Sequence, residues 1–206
     1  MGRRHERLQG SAAPACADRT AQNRARIAQA TARFIAEHGI ADWSLAKRKA
    51  VRLLGLPERE ALPGDDEIEA ALVEYHALFG GEAHAARLRA QREEALRWMR
   101  NLAAFAPELV GGVAAGWATA HSDIRLELVA IDAKDVELAL LNAKVAYRSM
   151  HGDRDGAAEL YIDGKVAGVR LSVRSAAVAR QRPLRDRGGN EAARLDAAAL
   201  AALLAA

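Results

Sequence analysis

Through the first half of the chain, apolar residues recur at three- and four-residue intervals. In the second half they alternate with polar ones. In NRARIAQATARFIAEHG, Ile27, Ala30, Phe34 and Ile35 share one face with Thr31. This spacing predicts a helix from about Gln22 that Gly39 closes. ADWSLAKRKAVRLLGLP predicts a second helix capped by Ser44. Leu45, Val51, Leu53 and Leu54 are its packing residues, and Gly55 and Pro57 end it. The turn LPGDD leads into a third helix capped by Asp65 or Asp66, with Ile68, Ala71, Leu72, Tyr75 and Leu78 as its apolar set and Gly80-Gly81 as its stop. A fourth helix, laced with Arg and Glu, is expected over roughly 82–104, with Leu88, Leu96, Trp98, Met99 and Leu102 inward.

The period changes near Pro107. GVAAGW reads as a short strand and turn. DIRLELVAI alternates, with Ile124, Leu126 and Leu128 on one face and Asp123, Arg125 and Glu127 on the other. DAKDVELALLNAKV predicts a helix capped by Asp132. VAYRSM, AELYI and VAGVRLSVRS predict strands, the last two joined by Asp163-Gly164 as a hairpin signal. RQRPLRDRGGN interrupts the pattern, and an Ala/Leu helix is expected over 191–206. The fold class is therefore α+β, a helical N-terminal half followed by a small mixed sheet. The expected divisions are a leader without regular structure over 1–20, a helical region over 21–104, an α/β region over 105–178, and a basic linker with a C-terminal helix over 179–206.

Three features of the composition bear on this reading. Half of the 206 residues are apolar but only 4% are aromatic, so the core must rest on Ala, Leu, Val and Ile. The net charge of +3 is unevenly spread: residues 1–52 carry +7, 53–94 carry −6 and 165–187 carry +6. The single cysteine, Cys16, excludes a disulfide within the chain and a cysteine zinc site. With no membrane-length apolar run and no secretory signal pattern at the N-terminus, the expectation is a cytoplasmic protein with no membrane partner.

The candidate chemistry lies in GGVAAGWATAHSDIRLEL, residues 111–128. Glycines let backbone N–H groups approach a phosphate closely, and carboxylates two residues apart on a strand, roughly 6.6 Å, can share a metal ion. Val110-Gly111-Gly112, ten intervening residues and then Asp123-Ile124-Arg125-Leu126 resemble the signature of the nucleotidyltransferase superfamily. Gly116 falls at that family's second glycine and Ser122 at its usual serine. Val169-Arg170-Leu171-Ser172-Val173 matches its later strand with a third acid. The order AKRKA, LPGDDEIEAAL, HSDI resembles a small family of bacterial nucleotidyltransferase-like proteins.

The resemblance implies that fold, covering residues 105–175, and a site that binds ATP or another nucleotide with Mg²⁺. The departures change the second part. Arg125 stands at the second acid and Arg170 at the third, so Asp123 alone is left as catalytic carboxylate and metal ligand. Glu127 is roughly 13 Å along an ideal strand from Asp123, too far to share a metal. Two guanidiniums beside one carboxylate repel Mg²⁺ and instead pair with Asp123 or grip a phosphate. The expectation is a pseudoenzyme: a nucleotide- or anion-binding site built from Gly111, Gly112, Ser122, Arg125 and Arg170, without metal-dependent catalysis. An active ATP-dependent transferase would need Glu127 or Glu159 as a substitute acid.

A different class of function stands beside this one. RIAQATARFIAEHGIADWSLAKRKAVRLLGLP resembles the opening helices of TetR-type regulators, and Lys47, Arg48, Lys49 and Arg52 make it basic. That resemblance implies a helical regulator or adaptor that contacts nucleic acid or a protein partner. The next helix, DDEIEAALVEYHAL, holds no Lys or Arg, so specific DNA reading by it is not expected. The six histidines, 5, 38, 76, 84, 121 and 151, show no paired metal spacing. Of these, His121 lies in the loop before Asp123 and is a candidate ligand contact or a structural residue. No G-x-S-x-G or G-x-x-x-x-G-K-[ST] pattern is present.

Overall fold

In a computed structural model, residues 13–40, 42–150, 158–176 and 193–206 are described, with the backbone alone for 13–17. The first twelve residues of the expected leader, the RQRPLRDRGGN segment, His5, His151 and the Cys16 side chain lie outside the described residues. The architecture is α+β, with helices mostly N-terminal and a six-stranded mixed sheet in the C-terminal half.

Four helices open the chain: α1 (Ala13–His38), α2 (Trp43–Leu53), α3 (Asp65–Phe79) and α4 (Gly81–Asn101). Helix α1 starts earlier than Gln22. The stretch APACADRTA is rich in alanine, and Pro14 sits in the first turn, where its missing N–H costs nothing. Two caps differ from expectation. Asp42, not Ser44, caps α2 by accepting from the N–H groups of Ser44 and Leu45. Gly64 precedes α3, and Glu67 reaches back to accept its N–H, leaving Asp65 and Asp66 in the first turn, where negative charge suits the helix dipole. Ala28, Ala32 and Ile35 pack against Ala46, Ile68, Ala71 and Leu72 to join α1, α2 and α3. Three leucines expected inside lie outside: Leu45, Leu53 and Leu78 are 40%, 66% and 68% exposed. The small residues on α1 bring the helices close, and the long side chains at the flanks are left over.

Helix α4 ends in a single 3-10 turn at 103–105 and leads to β1 (Glu108–Val110). GVAAGW is therefore not a strand. The strand lies just before it, and Gly112–Ala115 form one helical turn, α5. Then come β2 (Ile124–Val129), α6 (Ala133–Asn142, capped by Asp132), β3 (Arg148–Met150), β4 (Ala158–Ile162) and β5 (Val169–Arg174). A two-residue strand, β6 (Arg194–Leu195), precedes a last helix, α7 (Ala197–Ala205), so the expected C-terminal helix is shorter than 191–206.

The sheet order is β3-β4-β5-β2-β1-β6. The two central strands, β2 and β5, run parallel, and every other pair is antiparallel. One face carries Leu109, Ile124, Leu126, Leu128, Leu160, Leu171 and Val173 into a core shared with Leu96 and Met99 of α4, Leu140 of α6 and Leu200 of α7. Strands β4 and β5 pair as expected, but through a six-residue loop, 163–168, rather than a tight Asp-Gly turn. The buried Glu94 carboxylate on α4 accepts the backbone N–H groups of Lys165 and Val166 at 2.8 and 2.6 Å and draws that loop out of the ladder.

Candidate functional site

The opposite face of the sheet is polar, and its register sorts charge into rows. One row of paired positions runs Arg148, Tyr161, Arg170, Arg125, Val110, Arg194 across all six strands. The next row runs Met150, Glu159, Ser172, Glu127, Glu108. Period-two alternation in each strand puts these residues on one side, and pairing gathers arginines in one row and acids in the next. Ion pairs then link the rows. Arg194 reaches Glu108 and Glu127 at 2.6 and 2.8 Å, and Arg174 reaches Glu127 at 2.9 Å.

Arg125 and Arg170 are direct register partners on the central parallel strands. Arg170 Nη2 meets Asp123 Oδ2 at 3.1 Å, and its Nη1 meets Glu159 Oε2 at 3.3 Å. Burial works against the charge on Arg170, but the hydrogen bonds and charges of Asp123 and Glu159 outweigh it and hold the guanidinium above its ordinary pKa. Arg125 is exposed and has no hydrogen-bond or ion-pair partner among the described residues. Its stem runs along Gly111, where a Cβ would stand 3.3 Å from Arg125 Cδ. Gly111 also has φ +71°, a conformation glycine adopts without strain. Gly168, just before β5, is packed so closely that a Cβ there would collide with Tyr161 Oη and Asp123 Oδ1. Asp123, Arg125, Arg170 and Gly111 thus meet in one place.

Gly112 and Ser122 lie close by in the chain but are engaged elsewhere. Gly112 is buried under the Trp117 ring. Ser122 Oγ accepts the Thr119 N–H at 2.9 Å and lies 3.3 Å from Thr119 Oγ1, which folds the loop back on itself. His121 packs over Gly39 at the end of α1 and joins the loop to the helices.

Three residues of α4 hold this region, and sequence reading passed over them. Gln91 donates to the carbonyls of Thr119 and Ser122, Arg92 to those of Val113 and Ala114, and Glu94 accepts from the 163–168 loop. Burial lowers the Arg92 pKa. The loops before β2 and before β5 are therefore both tied to one helix. A signal existed: Gln91 lies at three- and four-residue spacing with Leu88, Ala95, Trp98 and Leu102, a polar residue on an apolar stripe.

The donor set does not fit a divalent cation. Asp123 already shares its charge with Arg170, and the Arg125 guanidinium lies on the neighbouring strand. Neither substitute acid is available, since Glu127 is held by Arg174 and Arg194 and Glu159 by Arg170. Among the described residues no three His, Cys, Asp or Glu side chains are grouped to hold a metal ion, and no helix is long and apolar enough to cross a membrane.

No protein-family model matches the chain, and no curated protein matches it.

The Arg125 guanidinium, with no carboxylate partner among the described residues and on a central strand, can offer two parallel N–H donors to a phosphate or carboxylate.

Proposed function

We propose that this chain is a nucleotidyltransferase-like protein that binds a nucleotide or another phosphate-bearing anion without metal-dependent nucleotidyl transfer. The observation that carries the reading is the register pair Arg125–Arg170, in which Arg170 clasps Asp123 while Arg125 has no partner among the described residues. Arg125 supplies the anion contact. Arg170 neutralises Asp123, so the carboxylate does not repel the incoming phosphate. Gly111 keeps the approach to the Arg125 stem clear.

The test is thermal melting with ATP, GTP and inorganic phosphate, each with and without Mg²⁺. At ligand near ten times Kd, a shift of about 3–5 °C is expected, the same in both conditions, because a ligand that binds the native state stabilises it by mass action. Arg125→Ala should abolish the shift and leave the unliganded Tm within about 1–2 °C of wild type, since its side chain is exposed. A shift that appears only with Mg²⁺, or one that survives Arg125→Ala, rejects the reading.

A further inference from the structure

The leucines that sequence reading placed inside α2 and α3 mark a second surface, independent of the anion site. Leu53, Leu78 and Phe79 are 66%, 68% and 70% exposed. They line an open groove of about 700 Å³, with Leu54 and Tyr75 beside them and one stripe of α1 as its floor. That stripe runs from Arg26 to Glu37, roughly 16 Å of helix. Contiguous exposed apolar walls of this kind mark interaction sites on soluble domains.

The charges in the groove narrow the choice of occupant. Arg33 and Glu37 satisfy each other at 3.0 Å, and Tyr75 donates to the same Glu37 oxygen. Two charges are left: Arg26 on α1 and Glu74 on α3 line the groove, and neither has a partner among the described residues. They are opposite in sign. A nucleic-acid backbone would meet Glu74 and the leucines as well as Arg26, which suits it poorly. A second copy, related by a two-fold axis, brings each Arg26 to the other's Glu74 and covers both apolar walls at once. In an isologous contact, i meets j and j meets i, so one self-complementary patch satisfies four charges.

We infer that the α1–α3 groove is a homodimer interface, with Leu53, Leu78 and Phe79 at its centre and reciprocal Arg26–Glu74 pairs at its edges. Sedimentation velocity on the full chain across a concentration series tests this. Wild type should be a dimer. Arg26→Glu and Glu74→Arg should each weaken dimerisation roughly tenfold by placing like charges opposite each other twice. The double variant should return to within about twofold of wild type. Phe79→Glu should give monomer with an unchanged circular dichroism spectrum, because its side chain contributes little to the folded core. A monomeric wild type overturns the inference and points to a different protein in the groove. A dimer indifferent to all four variants overturns it by placing the contact elsewhere. Failure of the double variant to recover, or growth into open polymers, overturns the reciprocal two-fold arrangement.

Discussion

The helical half and the polar face of the sheet use charge in opposite ways. On the helices, ion pairs are mostly single and exposed: Arg24 with Glu67, Arg33 with Glu37 and Arg89 with Glu93 each link two residues at the rim. On the sheet they are shared. Glu127 serves two arginines, and Arg170 serves two acids. Isolated exposed pairs contribute little, whereas half-buried groups in a network strand their partners when one is removed. A charge on this protein is therefore to be judged by how many partners it has and how dry they are, not by its sequence neighbours.

Helix α4 carries both kinds of charge on adjacent residues, so it gives the largest expected effect. Glu94 has a 3% exposed side chain and accepts two backbone N–H groups, while Glu93 has a 52% exposed one and, among the described residues, pairs only with Arg89. Glu94→Ala should lower the unfolding free energy by about 3 kcal/mol, because it leaves two loop N–H groups without their acceptor and opens a polar void. Glu93→Ala should change it by less than about 0.5 kcal/mol. Urea unfolding measures both. Similar values for the two would erase the distinction between rim pairs and buried clamps.

The same contrast explains what sequence could tell. The helices and central strands were legible because their apolar periods are strong, as in Ile27 to Ile35 and Ile124 to Leu128. Strand alternation puts Asp123 and Arg125 on one face, but only the resemblance to the nucleotidyltransferase signature set Arg170 beside them. The clamps were not legible. Gln91 and Glu94 act on loops 28 to 72 residues away, and only the folded chain brings them together. The 163–168 loop was misread for the same reason: Asp-Gly favours a tight hairpin locally, but Glu94 captures the next two N–H groups. The exposed leucines of α2 and α3 were misread because helical spacing gives a face without saying how wide the buried part is.

The seam between the halves offers an intermediate effect. His76 on α3 and His84 on α4 stack with ring centroids 3.9 Å apart, and His84 Nε2 lies 3.2 Å from the Gly116 carbonyl. Burial first, then the charges of His84 and Arg87, push the His76 pKa down from 6.5 to about 4. The native pKa lies below the unfolded one, so the unfolded chain takes up the proton first as pH falls. The His76 contribution is therefore constant above about pH 6.5, lost progressively between 6.5 and 4, and level below that. Allowing for its partial solvent access, the loss should be roughly 2 kcal/mol. The measurement is the pH dependence of unfolding free energy, wild type minus His76→Gln. A flat difference curve across that window would show that the seam does not hold a neutral imidazole.

The smallest effect tests the helical side of the contrast at its least exposed pair. Lys47 Nζ meets Asp65 Oδ1 at 2.8 Å, with side chains 14% and 22% exposed, and links α2 to the first turn of α3. Asp65 also suits the positive end of the α3 dipole, so its single substitution removes more than the pair. A double-mutant cycle of Lys47→Met and Asp65→Asn subtracts that contribution. The coupling should be under about 1 kcal/mol and should shrink further in high salt, as for a pair that water still reaches. A coupling above about 2 kcal/mol that ignores salt would put this pair in the class of the sheet's shared charges. The line between the two regions would then follow burial rather than helix against sheet.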